Sequence, residues 1–297
     1  MQQGTSSAGA RGVEIRSFSA DTAEDARAVI NTYLDGWPYT RPIDGELLAY
    51  WQTRAEFQSE HVLIAYRDGM PRAFVHGVRQ ETQHNLALLA LCPDALEEAG
   101  TLLATVEARA RAEGVTRLCG PAWSANLFYG GYVLGCEPYH PHWAVDTTRA
   151  YVRAGFRLSH PGVILVRNVA QSVEERTMPA PYVLREADTP DEHGARAFRY
   201  VAQLDGQEVA TCAARLYPDL RTHGRPLGQI GYVGTDEAHR GQGLAKVLVL
   251  ACLRRLVDWG AGDVLIATGL DNSPALKAYE AVGFVRQENV NEWSKVL

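Results

Sequence analysis

The octet Ala150-Tyr-Val-Arg-Ala-Gly-Phe-Arg157 returns near the other end of the chain as Ala278-Tyr-Glu-Ala-Val-Gly-Phe-Val285. A word repeated within the same order of elements constrains a fold strongly, because similar segments in similar order build similar units. In the first half, residues 13–18 alternate as a strand, and residues 21–34 and 46–57 have helical spacing. Asp68-Gly69 is a hairpin turn inside residues 61–70. A strand over 86–91, a helix over 94–111 and strands over 115–119 and 163–166 follow. On that helix Ala99, Leu102, Leu103, Val106 and Ala110 form the apolar stripe, and Glu98, Glu107 and Arg109 fall on the polar side. The second half repeats the order: a strand over 182–185, a hairpin turn at Asp205-Gly206, a strand over 209–217, one ending near Val233, a long helix from Leu244, and a strand over 264–267. The expected organisation is a loose tail (1–12), a first α/β unit (13–170), a polar linker (171–181) closed by Pro179 and Pro181, and a second unit (182–297).

A chain of 297 residues can bury two cores. Its net charge of −6 and pI near 5.9, with arginines and acids interspersed, give no basic footprint, so no nucleic-acid partner is expected. No apolar run is long enough to cross a bilayer, and the amino terminus has no apolar signal region. Cys92, Cys119, Cys136, Cys212 and Cys252 are odd in number and lack a C-x-x-C pair, which reads as reduced core thiols. The expectation is a cytoplasmic protein with a small-molecule partner and no membrane partner.

Chemistry concentrates in two stretches of the second half. Residues 230–243 read as a β-segment that breaks at Gly234, a polar turn, and a loop with Gly241 and Gly243 that opens the helix at Leu244. Unpaired N–H groups and partial positive charge at a helix N-terminus make an anion cradle when the loop is small enough for a diphosphate to approach. The loop has neither the Rossmann nor the Walker pattern. The second stretch runs from Asp271 through Asn272, Tyr279, Gly283 and Phe284. Together the two resemble the GNAT superfamily of acyl-CoA-dependent acyltransferases: Arg240, Gly243 and Ala245 match its first motif, and Asn272, Tyr279, Gly283 and Phe284 its second. With the repeat, the fold class implied is α/β, two tandem GNAT folds with mixed, mostly antiparallel sheets flanked by helices.

The resemblance implies site residues. Backbone N–H groups over Gly241, Gln242, Gly243, Leu244, Ala245 and Lys246, with Arg240 beside them, would hold the diphosphate of acetyl-CoA. Val233, Gly234 and Thr235 would part from the neighbouring strand and pair with the pantetheine arm, the Val233 N–H facing the thioester carbonyl. Asn272 would bond the same cofactor, and Tyr279 would protonate the leaving thiolate. Plainer roles stand beside these: Tyr279 as core, Asn272 as a helix cap, Arg240 as a solvated loop residue, Lys277 on a solvated helix face. The chain departs from the family at the general base, because the strand positions that carry Glu in relatives are Gly231 and Ala267. Tyr232, His239, Glu208, His140 and His142 remain as candidates.

The halves differ where ligand binding is concerned. Residues 91–100 of the first place acids where a diphosphate would sit, so its site reads as degenerate. The second half lacks the two helices that the first has after its opening strand, and the first unit is the obvious substitute wall. The aromatic insertion over 120–143 reads as an interdomain seam or as an acceptor-pocket lining. The helix from Leu244, apolar nearly all round, argues for a close seam. His140, His142, Cys136 and Asp146 do not complete a metal tetrad, and no Gly-x-Ser-x-Gly elbow occurs, so no metal and no serine hydrolase are expected. The expected function is acetyl transfer to the amine of a small molecule, an amino sugar, amino acid derivative or antibiotic-like acceptor of specialised metabolism. A longer acyl-CoA or acyl carrier protein donor, and a non-catalytic CoA-binding regulator, are the alternatives.

Overall fold

Both hairpin turns form as the sequence requires: Asp68 and Gly69 have φ of 52° and 76°, Asp205 and Gly206 of 50° and 81°. Such left-handed pairs match the twist of the strands that they join. The computed structural model describes residues 12–121, 124–130, 132, 140–169, 172–187, 189–190 and 194–297. The expected tail, the part of the aromatic insertion with Trp123, Cys136 and Pro138, and the start of the linker lie outside the described residues.

In the first half β1 (Glu14–Ser17) leads to α1 (Ala23–Leu34), α2 (Gly45–Thr53), β2 (Val62–Arg67), β3 (Met70–Gln80) and β4 (Gln83–Leu91). Then come α3 (Leu96–Ala112), β5 (Arg117–Gly120), α4 (Ser124–Tyr129), β6 (His140–Pro141), α5 (Val145–Arg153) and β7 (Arg157–Asn168). The second half contains β8 (Val183–Ala187), β9 (Arg196–Leu204), β10 (Gln207–Thr222), β11 (Arg225–Thr235), α6 (Leu244–Asp258), β12 (Asp263–Gly269), α7 (Ser273–Glu280) and β13 (Val285–Val296). Each octet ends a helix. Gly155 and Gly283 take φ of 83° and 85° just past α5 and α7, and Phe156 and Phe284 then enter the cores. Glycine at that left-handed position is the usual way to stop a helix.

The described strands join in one sheet, ordered β1-β2-β3-β4-β5-β13-β7-β12-β11-β10-β9-β8. The halves therefore exchange their last strands. β13, from the second half, pairs with β5 of the first through Trp293↔Gly120, and β7, from the first, pairs with β12 of the second through Leu165↔Ile266. β7 and β13 also pair with each other, antiparallel. The units outlined over 13–170 and 182–297 thus share strands across the middle of the sheet.

Side-chain alternation along these strands sorts the second half into two faces. Val163, Leu165, Cys212, Ala214, Leu216, Ile230, Val264 and Ile266 pack with α6 and α7. Ile164, Tyr217, Leu220, Leu227, Leu265 and Val290 form a separate cluster on the other face, covered by Trp37 and Tyr39 from the first half and bordered by Ala267. Trp37 meets Trp143 at 4.8 Å, and the Trp143 indole N–H donates to Glu288 at 2.7 Å. The described part of the aromatic insertion divides: Phe128 and Tyr129 belong to the first core, whereas Trp143 lies at the seam.

Several expectations are corrected. The helix over 46–57 stops at Thr53, where Arg54 turns extended, and Phe57 reaches the core by packing edge-on to Phe18. Glu98 is not on the polar side of α3; it is buried and paired with Arg67, whose Nη2 lies 2.6 Å from Oε2. α6 owes its apolar circumference to its own unit rather than to the seam. It packs on β9, β10, β11 and α7, and the linker residues Val173 and Met178 pack on the same core. The thiols of Cys92, Cys119, Cys212 and Cys252 are free and buried.

Candidate active site

β11 and β12 run parallel only as far as Ile230↔Ile266. Beyond that pair the strands part, while the other edge of β11 stays bonded to β10 through Val233↔Cys212, Gly234↔Thr211 and Thr235↔Ala210. β11 therefore does not break at Gly234; it runs on to Thr235 with one edge open. The parting begins at a β-bulge, because Tyr232 pairs with Ala213 and Ile230 with Ala214, leaving Gly231 without a cross-strand partner. Glycine at 234 leaves room for the Tyr232 ring: a Cβ there would lie 2.7 Å from the Tyr232 hydroxyl, and the exposed ring would have to shift.

A cleft of about 750 Å³ opens where the strands part. Val233, Gly234 and Thr235 form its strand wall, and Arg240, Gly241, Gly243, Leu244, Ala245 and Lys246 its loop-and-helix wall. Asn272 and Tyr279 close it from α7, with Pro274, Ala275 and Ala278 beside them. Gln242 alone of the expected contact residues is not among the lining; its neighbours Gly241 and Gly243, both at φ 79°, turn the loop so that α6 starts at the cleft. The N-cap of α6 is Gly243, which has no side chain to cap the helix. Arg240 and Lys246 are the cations of the lining, and no carboxylate belongs to it, so the mouth is basic in a chain of net charge −6. That arrangement suits a polyanionic ligand.

Individual residues do more than line. Asn272 caps α7, its Oδ1 accepting from the Ala275 N–H at 3.4 Å, and its Nδ2 donates to Thr268 Oγ1 at 3.1 Å. Arg240 Nε donates to the Thr235 carbonyl at 3.3 Å, tying the loop to the strand end. Tyr279, a lining residue of the cleft, is only 7% exposed and its ring packs 6.3 Å from that of Phe284. Lys277 is not among the lining residues.

Of the five general-base candidates, Tyr232 and His239 line the cleft. His239 Nδ1 lies 3.1 Å from the Tyr182 hydroxyl. Glu208 is engaged by Arg199 at 2.8 Å. His140 is buried in the first half beside Tyr151, where loss of water pushes its imidazole down to about 3. His142 pairs with Glu288 on β13 at 2.6 Å. The sequence reading named Tyr232 and His239 only as general-base candidates; it did not assign Pro274, Ala275 and Ala278 to the site, although they also line the cleft.

The corresponding place in the first half is filled by protein. β4 and β5 part after Asn85↔Cys119, and there Leu86 and the Tyr151 hydroxyl crowd Gly120 so closely that a Cβ would lie 2.9 Å from each. Tyr151, the counterpart of Tyr279, is fully buried against Phe156 and Trp293.

Comparison with known proteins agrees with this geometry. Residues 162–284 match the profile of the Acetyltransferase (GNAT) family. A mycothiol acetyltransferase of Thermomonospora curvata is 34% identical over 87 residues, 29% of this chain and 27% of that protein. The N-acetyltransferase 8 of Mus musculus is 39% identical over 85 residues, 29% of this chain and 37% of that protein. The match thus spans well under half the length of these relatives. Among solved structures, a tandem GNAT protein from the clavulanic acid biosynthesis pathway superposes with a TM-score of 0.72 at 16% identity, covering 96% of this chain and 98% of that one.

Proposed function

We propose, from the match of residues 162–284 to the acetyltransferase (GNAT) family and the likeness of the whole chain's fold to a tandem GNAT protein, that this protein is an N-acetyltransferase. It moves the acetyl group of acetyl-CoA directly to the amine of a small molecule. The observation that carries this reading is the single cleft in which both sequence motifs meet: the glycine loop at the head of α6 and the Asn272–Tyr279 face of α7.

In this reading the N–H groups at the start of α6, with Arg240 and Lys246, hold the diphosphate. The open edge of β11 at Val233, Gly234 and Thr235 pairs with the pantetheine amides, and the Val233 N–H faces the oxygen on which negative charge develops. Tyr279 gives its proton to the departing thiolate. The acceptor enters on the face covered by Trp37 and Tyr39, so the first unit walls a site whose donor half belongs to the second. The units are those outlined over 13–170 and 182–297, joined through 171–181. Among the described residues no helix is long and apolar enough to cross a membrane, and no group of His, Cys, Asp or Glu is arranged to hold a metal.

The test is to follow thiol release from acetyl-CoA with and without a panel of small amines. Acceptor-dependent release is the expected result. Tight acetyl-CoA binding with no release for any amine would replace the enzyme with a CoA sensor.

A further inference from the structure

The cleft lies where the sheet parts. It is lined by the head of α6 and by α7, and beyond Ile230↔Ile266 β11 and β12 are no longer paired, which leaves a gap between the strands. A donor lying against α6 leaves the opposite face of the sheet as the approach for the second substrate. The strand residues bordering the gap there are small: Gly231 is exposed and has no side chain, and Ala267 carries a methyl group.

Arg215 lies beside Gly231 on this opposite face. On β10 the side chains of Cys212, Ala214 and Leu216 belong to the α6-side core, so the alternation of the strand sends Arg215 and Tyr217 to the other face. Arg215 pairs with Gln229, two residues before the bulged Gly231. Its Nη1 stands 2.9 Å from where the Cβ of residue 231 would be, so the guanidinium occupies the volume that a side chain at 231 would need. Gln229, its cross-strand partner, accepts from the Tyr217 hydroxyl at 3.0 Å.

We propose that Arg215 is the acceptor-recognising residue of this site, its guanidinium binding a carboxylate carried by the amine acceptor, so that the substrates are small amino-carboxylates. This rests on the acetyl-transfer reading above and narrows it. A guanidinium offers five N–H donors in a rigid fork, so it receives a carboxylate side-on while keeping bonds to protein groups. Gly231 leaves the guanidinium its present place, because a Cβ there would lie 2.9 Å from Nη1 and the arginine end would have to shift.

The experiment compares acceptors that differ in one group: an amino acid and its carboxamide, for several side-chain sizes, with an aminophosphonate as a third arm. Acetyl-CoA affinity and turnover of the wild-type protein are measured first. The wild type should favour the carboxylate over the amide by roughly 10- to 100-fold in kcat/KM, mostly through KM, and over the phosphonate as well. Arg215→Gln should abolish that preference while the acetyl-CoA dissociation constant stays within about twofold; Arg215→Lys, which keeps the charge and loses the fork, should fall between, and carries the test if the Gln variant does not fold. Equal use of acid and amide by the wild type, a preference for the phosphonate, or a preference that survives in the folded variants would overturn the assignment. A wild type that binds acetyl-CoA but acetylates no amine fails at the earlier step and takes this inference with it.

Discussion

The side-chain amide of Asn272 joins Thr268 across the end of β12, donating to its hydroxyl at 3.1 Å while the amide oxygen caps α7 at the Ala275 N–H. One residue thus fixes where α7 begins relative to the strand that borders the cleft. Replacing Asn272 with Ala should cost about 1 kcal/mol of stability in urea unfolding, the usual price of a lost cap. Acetyl-CoA affinity, read by calorimetry, should fall as well, because Asn272 also lines the cleft. An unchanged affinity would leave it as a cap alone.

Gly243 sits at φ 79° immediately before α6, and nothing lies within 4 Å of a Cβ built there. Gly243→Ala therefore meets no clash; its cost is backbone conformation, about 1–2 kcal/mol. Acetyl-CoA binding should weaken by roughly tenfold or more while the circular dichroism spectrum stays native.

Tyr279→Phe keeps the ring packed 6.3 Å from Phe284 and removes only the hydroxyl. Turnover should drop by about 10²- to 10⁴-fold with acetyl-CoA affinity nearly unchanged. Turnover equal to wild type would return Tyr279 to a purely structural role.

Acid should destabilise the protein through the first half. Burial holds His76, His84 and His140 at about 3, well below their ordinary 6.5. Between those values the unfolded chain binds protons that the native one refuses. Stability is thus complete above about pH 6.5 and falls as pH drops from there toward about 3, by about 1.4 kcal/mol per pH unit for each histidine. Urea midpoints measured from pH 8 to pH 5 should show this fall, and His84→Leu should flatten it by about one proton. A midpoint independent of pH in that range would contradict the burial argument.

Because β7 and β13 are exchanged between the halves, residues 182–297 expressed alone should not fold. Such a fragment keeps β12 and β13 but lacks β7, which pairs with both, so two long edges would stand open. Co-expression with residues 1–181 should restore a soluble complex. A fragment monomeric and cooperatively folded by itself would show the exchange to be dispensable.

Local chemistry was legible wherever a residue acts through its own backbone or nearest neighbours. The turns at Asp68-Gly69 and Asp205-Gly206, the glycines that end both octet helices, and the loop at Gly241 and Gly243 are conformational demands that few other residues meet, so sequence alone specifies them. Both motifs of the candidate site belong to this class, and with the duplicated octet they disclose the cleft and the tandem plan. What sequence could not disclose depends on partners distant along the chain. Glu98 reads as a solvated helix residue until β2 brings Arg67 to it, and Arg215 reads as an ordinary strand arginine until the bulge at Gly231 opens space beneath it. The exchange of β7 and β13 has no local signature at all, since a strand pattern states which face is apolar but not which edge it will join. The order of strands, and with it the face that Trp37 and Tyr39 cover, was decided only when the two cores packed together.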